Sequence, residues 1–489
     1  MTRLRCGWEM GQNSKLPYDK TDAISIFKYA LPLLNHTLRD IVGNDAIAGY
    51  SLDNHGKGNL GQMVEKLYYL YEPNSSIEPD FKEAGVELKT TGLKKLKDLS
   101  LQIKERLVID MINYNEVVNQ SFEVSVFYKK CRLLLLLFYL YQKGIEQYDY
   151  VFLLAALWKI PEKDLLIIKH DYQVIIDKIK RGEAHLLSEG DTEYLGACRK
   201  GQKGDSLREQ PYSDIGAPRR AFSLKPAYMR TVLEYIKKSG KSSVINFDYK
   251  VKDSQIVTTK ELQEKSFEDV ILQRINPYKG KTYNQLCTAL NKRYDSSKSK
   301  YAALASRIIT GNSINVNKTE EFKKAGLQLK TIRVQQNGKI KEAMSFENID
   351  YHEVYETENW EDSRLYEIYS GRFLFVIFKA DGNTIRYFNS KKNSYTEEDS
   401  YSLVDAFFWT MPTHDLKLAE NYWQGIKKAV LDNHIAPEFF PKNERFHVRP
   451  KGRDSKDLVD NPNGGQVKKY CYWFNNDYVR EIVRNNATE

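Results

Sequence analysis

The sequence predicts a mixed α/β protein assembled from two tandem copies of one domain. Three observations predict it: a motif that recurs 241 residues further on, an apolar run after each copy of that motif, and a stretch with apolar residues at helical spacing. DFKEAGVELKTT at 80–91 returns as EFKKAGLQLKTI at 321–332 with seven of twelve positions identical. INYNEV at 112–117 returns as IDYHEV at 349–354, and RRAFSLKPAYMRTVL at 219–233 parallels KYCYWFNNDYVREIV at 469–483.

Each element has a local cause. In KGNLGQMVEKLYYLY at 57–71 the apolar residues Leu60, Met63, Val64, Leu67 and Tyr68 form one helical stripe, with Glu65 off it. From Val86 to Thr90 apolar and polar residues alternate, so a strand puts Glu87 and Lys89 on one face and Val86 and Leu88 on the other. The residues EAG between Asp80 and Glu87 suit a turn that brings both carboxylates to one point. RLLLLLFYLY from Arg132 and RFLFVIF from Arg372 read as buried strands. A polar stretch from Lys237 to Lys265 separates the copies, giving domains at 1–240 and 265–489 joined by a linker at 241–264.

Composition narrows the function. With 489 residues, 41% hydrophobic and 28% charged, the chain is ordinary globular material, and its net charge of +9 favours a polyanionic partner. Cys6, Cys131, Cys198, Cys287 and Cys471 form no CxxC pair, so neither a zinc site nor a disulfide framework is indicated, and a reducing cytoplasm suits them. The run Leu133–Tyr141 falls short of the roughly 20 residues of a membrane helix, and residues 1–20 hold no apolar stretch resembling a signal peptide. No GxxxxGK[ST] occurs, which argues against a nucleotide cofactor, and His55 reads as a loop residue, not a general base. The clusters LYYLYE and AFFWTMP read as packing aromatics.

The chemistry resides in DxxxxxxExK, formed by Asp80, Glu87 and Lys89. Hard carboxylate oxygens suit magnesium, and a neighbouring lysine can orient an attacking water. Alone the pattern also describes a surface ion pair worth at most about 1 kcal/mol. The second copy acts as an internal control: Ser306, Glu321, Gln328 and Lys330 stand where the first has Glu65, Asp80, Glu87 and Lys89. Two of three acids have lost their carboxylates together, as an abandoned metal site would.

Gly58, Gly61 and Glu65 as GxxGxxxE, followed by DxxxxxxExK within AGVELKT, resemble the MutH-like endonucleases, which include a mismatch-repair nickase and type II restriction enzymes that cut GATC. The intact first copy and degenerate second resemble the restriction branch with tandem domains. The resemblance implies a PD-(D/E)XK-type fold in each copy, with a central mixed sheet flanked by helices. It implies magnesium on Asp80 and Glu87, catalysis by these with Glu65 and Lys89, and a further lysine that matches Lys129. Tyr369 stands at the equivalent place in the second copy.

The same resemblance implies double-stranded DNA as partner, contacted by Arg199, Lys200, Ser223 and Lys225 in the first copy and by Arg449 and Lys451 in the second. Ser223, ahead of Leu224 and Lys225, stands where the nickase carries a methylation-sensing tyrosine. The expectation is therefore a bacterial cytoplasmic restriction enzyme making magnesium-dependent double-strand cuts at GATC and leaving 5′ phosphates. Its second domain would bind DNA as an effector, and a second chain of itself would be a partner on DNA. The competing readings are a non-catalytic DNA-binding or regulatory protein and a methyl-directed repair nickase.

Overall fold

The computed structural model describes residues 16–51, 59–73, 76–96, 99–201, 206–239, 255–294, 297–340, 342–389, 393–454 and 456–487. Cys6, His55, Gly58 and the linker up to residue 254 lie outside the described residues. The chain forms two compact units. One comprises 1–110, 120–161 and 232–249, and the other 111–119, 162–231 and 250–489.

The first unit is organised by a four-stranded sheet. Its order is Leu101–Ile103, Glu87–Lys95, Leu134–Leu140, Phe152–Trp158. The middle pair is parallel, with Glu87 opposite Leu134 and Lys89 opposite Leu136, and the outer pairs are antiparallel. Leu134 to Phe138 are fully buried, as expected of a strand covered on both faces. On one face Leu135 and Leu137 join Val86, Leu88, Leu60, Met63 and Val64 in a core with Ile26, Phe27 and Leu33. Burying such side chains contributes about 1.5–3 kcal/mol each before chain entropy is subtracted.

In the second unit the strands Gln328–Val334, Arg372–Asn389 and Ser394–Thr410 repeat the middle of that plan. Gln328 lies opposite Phe373 in a parallel pair, and an antiparallel pair follows. The core is aromatic, with Phe373, Phe375, Trp409, Tyr422, Phe446, Phe474 and Tyr478. The unit also carries two smaller arrangements of similar plan. Leu195–Arg199 pairs with Arg220–Leu224 and is followed by a hairpin of Arg208–Gln210 and Ser213–Ala217. Phe446–Pro450 pairs with Tyr470–Phe474 and is followed by a hairpin of Leu458–Asp460 and Gln466–Lys468.

A buried ionic cluster runs through the second unit. Both carboxylate oxygens of Asp164 accept the Lys324 ammonium at 2.8 Å, Glu320 accepts it too, and the Tyr228 hydroxyl donates to Asp164 at 3.1 Å. Arg230 and Arg364 both pair with Glu367.

Candidate active site

Backbone geometry brings Asp80 and Glu87 together. Phe81 and Val86 exchange backbone hydrogen bonds of 2.9 and 3.2 Å, and Gly85 closes the turn with φ +65°, a conformation that disfavours a side chain. The N–H of Leu88 donates to Asp80 Oδ2 at 2.8 Å, and the N–H of Asp80 donates to Glu87 Oε2 at 3.2 Å. Lys89 Nζ lies 2.7 Å from Glu87 Oε1, so the acid and the lysine share the strand face expected from alternation. Glu87 is only 2% exposed, and burial raises its pKa despite Lys89, with Asp80 adding to the rise.

Glu65 reaches the same place from a helix. An α-turn over Asn59–Met63 widens into a π-turn over Val64–Tyr68, marked by Tyr69 N–H donating to Val64 O at 2.9 Å. Single π-turns of this kind are frequent at functional sites. Gly61, one turn before Glu65, faces the strand: a Cβ there would sit in ordinary contact with Thr90 Oγ1 at 3.4 Å. Burial first, then the charge of Asp80, pushes the Glu65 carboxyl up to about 7, while Tyr71 and Lys89 oppose the rise.

Tyr71 is a site residue that sequence reasoning assigned to packing. Its ring stands edge-on to Phe81 at 5.6 Å, and its hydroxyl is buried without a hydrogen bond of ordinary geometry. Burial and the charges of Asp80, Glu65 and Glu87 raise its pKa. The only available signal was its position six residues after Glu65.

Two adjacent lysines divide differently from the expectation. On the helix Val126–Cys131, capped by Ser125, Lys129 lies 3.4 Å from Glu78, whereas Lys130 lies 3.3 Å from Asp110 and lowers the pKa of Glu87 by its charge. Successive helical residues point about 100° apart, which sends the two ammonium groups to different acids. The matching helix Arg364–Tyr369 is capped by Ser363 as the first is by Ser125. That alignment puts Glu367, not Tyr369, opposite Lys129. Burial raises the Glu367 pKa, but Arg230 and Arg364 outweigh it and hold the carboxyl at about 2.

The second copy has rebuilt the site for packing. Glu321 is buried against Lys163 and the backbone N–H groups of Ile256 and Val257. The N–H of Leu329, counterpart of Leu88, donates to Asn317 Oδ1 at 2.7 Å instead. Ser306 accepts the N–H of Val316. Lys330 lies over the Phe346 ring and donates to Ser345 O at 3.0 Å, and burial with Lys451 nearby lowers its pKa to about 8.

The expected DNA contacts are placed unequally. Arg199 is exposed and Lys200 half-buried, at the end of the strand Leu195–Arg199. Arg449 is exposed over the Trp473 ring, while Lys451 turns its ammonium onto Ser345 Oγ and Phe346 O at 2.9 and 3.2 Å. Ser223 is fully buried and Lys225 nearly so, with Thr192 O accepting the Lys225 ammonium. Neither presents itself to DNA, because both belong to the interior face of the strand and its continuation.

A magnesium ion suits this donor set: two carboxylates, a third acid nearby and a buried hydroxyl are hard oxygen donors. Among the described residues no group of three His, Cys, Asp or Glu side chains is placed to hold a metal ion by itself. No helix among the described residues is long and apolar enough to cross a membrane.

A family model described as DNA mismatch repair enzyme MutH matches the chain twice, at 69–171 and 310–414, with the same spacing as the internal repeat. The chain is also 33% identical over 468 residues to the type II restriction enzyme Sau3AI of Staphylococcus aureus, covering 88% of this chain and 93% of the relative.

Proposed function

Because the chain belongs to the MutH-related family of type II restriction enzymes, we propose that it hydrolyses both strands of duplex DNA at GATC sites in the presence of magnesium, leaving 5′ phosphates. The observation that carries the chemistry is the convergence of Glu65, Asp80, Glu87 and Lys89 in the first repeat, set against its dismantled counterpart in the second.

Asp80 and Glu87 would hold the ion, which when bound neutralises charge on the scissile phosphate and acidifies a coordinated water. Lys89, fixed by Glu87, orients the attacking water and favours its deprotonated form. Glu65, with its raised pKa, is placed to accept a proton near neutrality. Lys130 supplies further positive charge beside Glu87, the role expected of Lys129. Arg199 and Lys200 contact the backbone and bases of the duplex.

The second repeat, with its exposed Arg449 and with Gln328 in place of Glu87, binds a further copy of the site as an effector. One centre per chain requires either two chains on one site or two successive nicks. Ser223 replaces the tyrosine of the nickase and is buried, which favours cutting irrespective of adenine methylation. Digestion of matched duplexes with and without GATC, in unmethylated, hemimethylated and fully methylated form, tests the proposal. Linear product from all three GATC duplexes supports it. Binding without cleavage supports the regulatory reading, and cutting confined to unmethylated strands supports the nickase.

A further inference from the structure

The hairpin of Arg208–Gln210 and Ser213–Ala217 has a two-residue turn, Pro211 and Tyr212, and an unusual surface. Tyr212 at the turn is 72% exposed, and Leu207 at the open end and Ile215 on the second strand are 58% and 57% exposed. Clustered apolar side chains on so small an element mark an interaction surface, since scattered ones need no explanation. Arg199, Arg208 and Arg219 are exposed and Lys200 half-buried near its open end, Glu209 and Asp214 are exposed on its strands, and no acid among the described residues pairs with any of the four cations.

The tip is also strained. Tyr212 adopts φ +63°, a left-handed conformation that disfavours a non-glycine residue. The short hairpin of Leu458–Asp460 with Gln466–Lys468 turns through Asn461 to Gly465 and places its positive φ on Gly464 and Gly465. The chain therefore builds one such turn with glycines and keeps a tyrosine in the other. The turn end of the hairpin is held firmly: buried Gln210, next to the turn, accepts the N–H of Ala184 at 2.8 Å and donates to Ile215 O. The tip backbone presses on Gly182, where a Cβ would meet Tyr212 O at 2.5 Å. A fixed backbone with an outward aromatic is the form of a wedge.

Resting on the DNA-cleaving reading, we propose that this hairpin enters a groove of the duplex and that Tyr212 inserts at a base step, unstacking it, while Arg199, Lys200, Arg208 and Arg219 hold the flanking phosphates. Apolar wedges combined with phosphate-binding cations are how proteins kink duplex DNA. Four cations that pair with no acid among the described residues favour this polyanionic partner over a protein or a second copy of the chain.

The test uses the full-length chain carrying Glu87→Gln, so that duplex is bound without being cut. 2-Aminopurine is placed at successive positions through the GATC site and its flanks. The parent is expected to raise fluorescence several-fold at one step. Tyr212→Ala should abolish that rise and weaken binding about tenfold, as loss of a base–aromatic stack does, while Tyr212→Phe keeps both. Tyr212→Gly should also lose the rise yet unfold at an equal or higher temperature, since it relieves the positive φ and so separates function from folding. Arg208→Ala should keep the rise but reduce the salt dependence of binding by about one phosphate contact. A parent that binds duplex with no unstacking, or with the same affinity as Tyr212→Ala, overturns the wedge alone. A parent that binds no duplex overturns the DNA-cleaving reading together with it.

Discussion

Glu87 accepts the backbone N–H of Asp80 at 3.2 Å, seven residues before it in the chain, while Asp80 accepts the N–H next after Glu87 at 2.8 Å. This reciprocal clasp fixes the spacing of two like charges through the backbone, before any cation arrives. One short turn can therefore carry both carboxylates proposed to hold the metal, and in the second copy Asn317 makes the equivalent hydrogen bond instead.

The raised pKa of Glu65 predicts how the metal-free chain responds to pH. Its folded value near 7 lies above the ordinary 4.5, so the folded state binds more protons between those values and stability falls as pH rises across that window. Glu65→Gln mimics the protonated form. In urea unfolding without divalent ions, the variant should be more stable than the parent at pH 8, with the difference shrinking at pH 5. An equal difference at both pH values would mean that Glu65 does not sense its acidic neighbours.

The two lysines of the Val126–Cys131 helix should separate kinetically. Lys130→Ala is expected to reduce cleavage by about 10²-fold, the range for loss of one electrostatic contribution, and Lys129→Ala to reduce it by less than about threefold, as suits a solvent-exposed pair with Glu78. Single-turnover cleavage rates decide between them, and the reverse order would restore the sequence-based choice of Lys129.

Lys324 should be a large contributor to the stability of the second unit. Replacing it with Ala leaves Asp164 and Glu320 buried without their cation, which typically costs about 3–5 kcal/mol. Urea unfolding monitored by circular dichroism measures it, and a loss below about 1 kcal/mol would mean that solvent already reaches the pair.

What was legible in the sequence was what local chemistry determines. Alternation from Val86 to Thr90 and the glycine at 85 sufficed to place Glu87, Lys89 and Asp80 together, and the unbroken apolar run at Leu134 announced a strand buried on both faces. The remainder depends on phase and on distant partners. Whether Lys129 or Lys130 faces the acids is set by where Ser125 caps the helix. An ungapped comparison paired Asp80 with Glu321, yet Asn317 makes the equivalent hydrogen bond because the second copy coils residues 320–325 into a helix. The burial of Ser223 and Lys225, and the meeting of Asp164 with Lys324 across 160 residues, follow from tertiary packing that no local pattern encodes. Cutting the chain near residue 250 would accordingly separate Asp164 and Arg230 from Lys324 and Glu367, so a fragment is a poor test of the second repeat.

The most direct test of the central claim compares the parent with Glu87→Gln, which gives the first copy the side chain the second copy has at Gln328. Both are incubated with GATC-containing plasmid and magnesium, and duplex binding is measured in parallel. The predicted result is a fall in cleavage of at least about 10³-fold with duplex affinity retained within a few-fold, as expected when a metal-binding carboxylate is neutralised. Cleavage by Glu87→Gln at the parental rate would contradict the assignment of catalysis to the Asp80–Glu87 site.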